Sequence, residues 1–162
     1  MRKPVIGVMG PGESADTDLL LHAEELGKRI AENGWILLTG GREAGIMDAA
    51  SKGAYEAGGT VIGILPGDNH TGMSNFVSIP VLTGMGHARN VINILTSDVV
   101  VICGMGHGTA SEAALALKQG KPVILTKVTE PDTQFFSRQS GAPIDYSDDV
   151  EKVIAWIKKQ IM

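Results

Sequence analysis

Short, unbroken apolar runs alternate along this chain with longer stretches in which apolar residues recur every three or four positions. That alternation predicts β-strands interleaved with amphipathic helices. Residues 5–9 make the first strand, ending in Gly10-Pro11-Gly12, and residues 15–18 supply cap chemistry for a helix that runs to about residue 32. Leu19, Leu20, Ala23, Leu26, Gly27 and Ile30 form one stripe of that helix, and Asn33-Gly34 stops it. Strand 35–38, the turn Thr39-Gly40-Gly41, helix 45–57 and strand 61–65 follow, then a polar loop over 66–75.

Residues 77–81 read as a short edge strand, because Pro80 cannot donate to a ladder. Next come helix 89–96, strand 99–103, helix 109–119 and strand 122–125; residues 126–141 are the least regular, and 148–161 form a closing amphipathic helix. The strand segments are continuously apolar rather than alternating, as expected of strands covered on both faces. The expected fold class is α/β: a single Rossmann-like, doubly wound, mainly parallel sheet over residues 1–162, with helices on both faces and neither repeat nor linker.

In such sheets ligands bind at the carboxyl ends of strands, where the strand order reverses. Glycine-rich turns fall at these ends: Gly10 and Gly12, Gly40 and Gly41 with Gly45, and Gly104 to Thr109. A helix's first turn offers free N–H groups and partial positive charge, and glycine lets backbone approach an anion closely. One site built from these turns is expected to take a phosphorylated ligand. Gly7-x-x-Gly10-x-Gly12 lacks the spacing of a dinucleotide fingerprint.

Within that rim, Gly106, Gly108 and Thr109 are candidates to offer amide N–H groups to a terminal phosphate, and Arg89 to hold the same anion bidentately or to make a surface ion pair. Glu112 lies one helical turn beyond Thr109, where its carboxylate serves a hydrolase, accepts hydrogen bonds from a ligand, or caps Thr109 or Ser111. Asn90 is a candidate donor to a ligand carbonyl or phosphate. His107, inside the turn, meets a phosphate or metal or faces solvent; His87 is placed to line the pocket. Met47, with Met9, Met85 and Met105, stands near the rim, where a thioether suits either a flat ring or the core. Cys103 reads as a small core residue. His22 and His70 have no partner at metal-ligand spacing, so no metal site is expected.

Composition narrows the partners. With 162 residues and a formal net charge of -4, the chain is long enough to bury a full core and carries no basic run for nucleic acid or an anionic membrane. The lone Cys103 forms no internal disulfide, and Met1-Arg2-Lys3-Pro4 leads into a strand rather than a signal peptide's apolar stretch; a cytoplasmic protein is the expectation. Helices 89–96 and 110–117 are apolar on more than one side, which predicts a homo-oligomer, dimer or tetramer.

Thr39-Gly40-Gly41-Arg42-Glu43-Ala44-Gly45-Ile46-Met47, Gly53-Ala54-Tyr55-Glu56-Ala57-Gly58-Gly59, Arg89-Asn90 and Gly106-His107-Gly108-Thr109-Ala110-Ser111-Glu112 together resemble the Lonely Guy-like family, formerly called lysine decarboxylase-like. The resemblance implies a Rossmann-like fold. The family's enzymes are phosphoribohydrolases of cytokinin nucleoside 5′-monophosphates, with Pro-Gly-Gly-x-Gly-Thr-x-x-Glu where this chain has Gly104 to Glu112. They carry Met-His-Glu-Arg-Lys where it has Gly86-His87-Ala88-Arg89-Asn90. The substituted motifs are more similar to the family's molybdenum cofactor carriers. That implies molybdenum cofactor (molybdopterin) as bound ligand with no catalytic cofactor, molybdoenzymes or cofactor-synthesis proteins as exchange partners, and, in the alternative, a hydrolase using Glu112 and Arg89, or a nucleotide sensor.

Overall fold

The computed structural model describes residues 2–162. Its strands are β1 (Val5–Met9), β2 (Ile36–Thr39), β3 (Val61–Leu65), β4 (Ile79–Leu82), β5 (Val99–Cys103), β6 (Val123–Thr126) and β7 (Asp145–Tyr146). The helices are α1 (Thr17–Glu32), α2 (Gly45–Glu56), α3 (Asn90–Thr96), α4 (His107–Lys118), α5 (Glu130–Ser140) and α6 (Val150–Ile161), with a 3-10 turn, Gly86–Arg89, leading into α3. All strands join one sheet in the order β4-β3-β2-β1-β5-β6-β7, and every pairing is parallel. The expected Rossmann-like α/β fold is therefore observed.

Two apolar layers sandwich the sheet. On one face Ile6, Val8 and Val101 meet Leu26, Ile30, Ala50 and Ile157 from α1, α2 and α6. On the other, Met9, Val100 and Ile102 meet Ile94, Ala113, Ala116 and Phe136 from α3, α4 and α5. β1 and β5 are buried along their whole length, which explains their uninterrupted apolar sequence. Among the described residues, no helix is long and apolar enough to cross a membrane.

The irregular reading of residues 126–141 is corrected, because α5 occupies most of that stretch. Thr129 Oγ1 accepts from the Asp132 N–H, the Asp132 carboxylate accepts from the Thr129 N–H at 3.0 Å, and Gly141 (φ 72°) ends the helix. This capping box was present in the sequence as Thr129-Glu130-Pro131-Asp132, but α5 buries only Phe136 and so shows little apolar period. The edge strand runs over Ile79–Leu82 rather than 77–81, with Val77 instead packed on Gly63. Strand β2 begins after Trp35, helix α4 begins at His107, and the two-residue β7 was too short to register as a pattern.

Helices α1 and α2 approach each other through glycine. A methyl group on Gly27 would run into the Ala50 carbonyl, and one on Gly53 into the Glu24 carbonyl. Alanine is the better helix former by about 1 kcal/mol, yet the clash is with backbone that cannot rotate away. Gly53→Ala is therefore expected to destabilise the protein by about 1–3 kcal/mol in urea unfolding. A stabilised variant would contradict the close contact.

Candidate functional site

The sheet's winding reverses between β1 and β5: the chain proceeds from β1 outward to β4, then returns to the other side of β1. Loops leaving the carboxyl ends of these neighbours diverge, and a crevice opens between them. A cavity of about 920 Å³ lies there. Met9, Gly10, Pro11 and Gly12 form one wall, Gly40, Arg42 and Met47 a second, His87, Arg89 and Asn90 a third, and Met105 to Ala110 with Glu112 the fourth.

Of the residues expected at the site, Gly10, Gly12, Gly40, Met47, Arg89, Asn90, Gly106, His107, Gly108, Thr109 and Glu112 line this one cavity. Gly41, Gly45 and Gly104 do not. Their φ angles of 76°, 49° and 74° show why glycine stands there: they bend the chain behind the wall. A side chain on Gly45 would strike the Pro11 and Gly12 carbonyls. Gly10 also serves packing, since a Cβ there would meet Ile46 at 2.7 Å. Gly108 is different, for nothing lies within 4 Å of where its side chain would be.

Helix α4 starts at the cavity with no side-chain cap on its first turn, its N-cap being Gly106. Asp16, Thr129 and Asp149 cap α1, α5 and α6, whereas α2 and α3, like α4, have no side-chain cap. Omitting such a cap costs about 1 kcal/mol, so the amides of His107, Gly108 and Thr109 stand ready for an acceptor in the cavity. His107 is thus the first residue of the helix rather than part of the turn, and it is exposed.

Arg89 is no surface ion pair. It is buried, and its Nε donates to the Ile64 carbonyl at 2.8 Å, Nη1 to Gly86 at 3.2 Å and Nη2 to Gly40 at 3.5 Å. Three of its five N–H groups thereby brace the ends of β2, β3 and the 3-10 turn, leaving two. Burial lowers its pKa, Glu112 opposes that shift, and the positive charge of Arg42 adds to it.

Glu112 caps neither Thr109 nor Ser111; its Oε1 accepts from Asn93 Nδ2 at 2.9 Å. Ser111 Oγ instead donates to the Gly108 carbonyl at 2.7 Å and accepts from Asn90 Nδ2 at 3.0 Å, so one Asn90 N–H ties α3 to α4 while its second N–H and its Oδ1 are not taken up by that bond. Burial pushes the Glu112 carboxyl up to about 7, against the pull of Asn93 and Arg89.

Cys103 is a core thiol, raised by burial to about 12. His22 is held by Thr126 Oγ1 at 2.7 Å, and burial lowers its pKa. Among the described residues no three His, Cys, Asp or Glu side chains converge as a metal site would need. Met105 and Met9 line the cavity, while Met85 is exposed outside it. Sequence reasoning missed Arg42, Glu13, Ser14 and Pro66, all on the wall. Arg42 was visible as the cation directly after Gly40-Gly41.

A family model described as the SLOG cluster4 family matches residues 3–154. The chain belongs to that family. The resemblance to Lonely Guy-like proteins is thereby upheld. The structure superposes on a molybdenum cofactor binding protein from Rippkaea orientalis with a TM-score of 0.96 at 50% identity, covering 100% of this chain and 99% of that one. It matches the molybdenum cofactor carrier protein of Chlamydomonas reinhardtii with a TM-score of 0.93 at 50% identity, over 99% of each. A cytokinin riboside 5′-monophosphate phosphoribohydrolase from Rhodococcoides fascians is 29% identical over 56% of this chain and 47% of the enzyme. This chain has Ala88 and Asn90 on either side of Arg89, neither of them an acid or a base.

The raised Glu112 carboxyl ties stability to pH. Its folded pKa lies above the 4.5 of an unperturbed glutamic acid, so folding is favoured while it is protonated and loses that advantage as pH climbs from about 4.5 to about 7. Glu112→Gln cannot ionise and keeps the Asn93 bond. The variant is expected to gain on wild type by roughly 3 kcal/mol between pH 4.5 and 8 in urea unfolding. A stability difference that ignored pH would show that Glu112 is not buried as described.

Proposed function

We propose that this protein binds and carries molybdenum cofactor, a phosphorylated pterin, holding it until it passes to another protein of the cytoplasm. One observation carries the reading: the uncapped amides of α4 and both arginines of the rim face a single cavity of about 920 Å³. That volume falls in the range of small-molecule sites, and the two guanidinium groups with the amides of the α4 N-terminus suit an anionic ligand. The two full-length matches to cofactor-binding proteins support the identity of the ligand.

In this reading the His107, Gly108 and Thr109 amides grip the terminal phosphate, each charge-assisted hydrogen bond contributing about 1.5–3 kcal/mol. Met47, Met105, Pro11 and Pro66 provide apolar surface for the flat ring. Molybdoenzymes or cofactor-synthesis proteins are the exchange partners. Protein purified without oxygen from a host that makes the cofactor is expected to hold about one molybdenum and one pterin per chain, read by elemental analysis and by fluorescence of the oxidised pterin. Gly108→Leu projects into open space, so it is expected to lower that occupancy about tenfold while leaving the thermal midpoint nearly unchanged. Full occupancy in the variant would place the ligand elsewhere.

A second reading, nucleoside 5′-monophosphate phosphoribohydrolase, is favoured by Glu112, whose carboxyl is poised near neutrality on the cavity wall. Release of ribose 5-phosphate from AMP on the order of 1 s⁻¹, abolished by Glu112→Gln, would move the function there.

We also propose a homo-oligomer. Val91 and Leu95 on α3 are 41% and 54% exposed, and on the edge strand β4 Ile79 and Leu82 are open as well. Leu95→Asp is expected to shift the mass measured by light scattering toward the monomer. An unchanged mass would remove α3 from the interface.

A further inference from the structure

Two guanidinium groups line the cavity, and they are held in different ways. Arg89 is buried and braced by main-chain carbonyls, whereas Arg42 makes one side-chain contact, Nη2 to Glu13 Oε1 at 2.9 Å. Its backbone is fixed: Arg42 pairs with Met73 in an antiparallel bridge, the Glu43 N–H donates to Gly72 at 2.8 Å, and the Ser74 N–H donates to Gly41 at 2.9 Å. A rigid base thus carries a movable cation. Its partner Glu13 sits on the β1–α1 loop, also on the cavity wall, with a side chain 78% exposed against 41% for Arg42.

Such an exposed pair is weak, because water and salt screen it and both side chains lose freedom in making it. The charge of Arg42 also reaches Arg89 across the cavity. Like charges facing one hollow are eased by an anion between them, and the other carboxyl there, Glu112, is largely protonated below about 7.

We propose that Arg42 is the mobile clamp for an oxyanion of the ligand, and that Glu13 is the built-in competitor that occupies this clamp until the ligand displaces it. Entry of the anion trades one carboxylate for another oxyanion at the same guanidinium, and departure of the ligand restores the Glu13 pair. Release therefore leaves Arg42 paired rather than bare, which lowers the cost of giving up the cargo. The inference rests on the reading of the cavity as an oxyanion site. The group gripped is a phosphate or the oxo-metal end of the cofactor, and the two are separable by probe.

Calorimetric titration of the full chain with inorganic phosphate, and separately with molybdate, tests this in wild type, Arg42→Ala, Glu13→Gln and the double variant. Arg42→Ala is expected to weaken binding of at least one anion by about tenfold or more, and Glu13→Gln to tighten it severalfold. The Glu13 substitution should have no effect once Arg42 is gone, since its role is to occupy that side chain. The anion that responds names the end of the ligand held there. Thermal midpoints should stay within about 2 °C of wild type, because the pair is exposed.

The clamp is overturned if neither anion binds, if Glu13→Gln leaves affinity unchanged, or if it tightens binding equally without Arg42, which would mark a general charge effect. Cofactor occupancy of the same variants is measured in parallel. If occupancy persists while the anion pattern fails, the carrier reading stands and the clamp falls. If the anion pattern holds in protein that takes up no cofactor, the clamp stands and the carrier reading falls.

Discussion

Parallel pairing carries every strand of this sheet to the same rim, and the reversal of winding between β1 and β5 opens that rim at one place. Everything at the site descends from this constraint. Parallel strands are joined by crossovers, so the loops at the rim lead toward helix starts except after β3, where the chain passes to β4 without a helix. At β5 that start is α4, whose axis brings unsatisfied N–H groups and partial positive charge to the opening. Glycine follows from the same geometry, because a side chain on Gly10 would strike the Cys103 carbonyl at the end of β5 and the Ile46 side chain of α2.

Electrostatics then sorts the groups around the opening into fixed and movable ones. Arg89 is spent largely on architecture, tying the ends of β2 and β3 to the 3-10 turn through three carbonyls. Glu112 is buried beside it, and burial is strong enough to override the pull of Asn93 and of Arg89 on its proton. Near neutral pH the wall accordingly carries more positive than negative charge. Arg42 and Glu13, in contact with solvent, are the pair free to rearrange.

Relatives named as molybdenum cofactor binding or carrier proteins share this scaffold over their full length, and one named as a phosphoribohydrolase matches part of the sequence. What separates this chain from the enzymes' motif is local. Ala88 and Asn90 stand where that motif has an acid and a base, and Asn90 uses its amide to join α3 to α4 through Ser111. A neutral amide at this position neither takes up nor gives a proton. Of the two carboxyls on the wall, Glu112 is buried against Asn93 and Glu13 is paired with Arg42.

The sequence by itself determined the layered α/β fold, the order of most elements and the neighbourhood of the site. These rest on local properties: continuous apolar strands, helical periodicity and glycines at strand ends. It concealed α5, whose capping box at Thr129 stood in plain view, because a helix burying only Phe136 leaves almost no apolar stripe to read. Only the tertiary structure decided that Arg89 is a strut, that Glu112 answers to Asn93, and that Arg42 meets Glu13 across the wall. Those partners lie 25, 19 and 29 positions apart in the chain, the first being Arg89 and Ile64. Pairings of that kind are set by how strands and loops are brought together in space, which a local pattern of residue types does not encode.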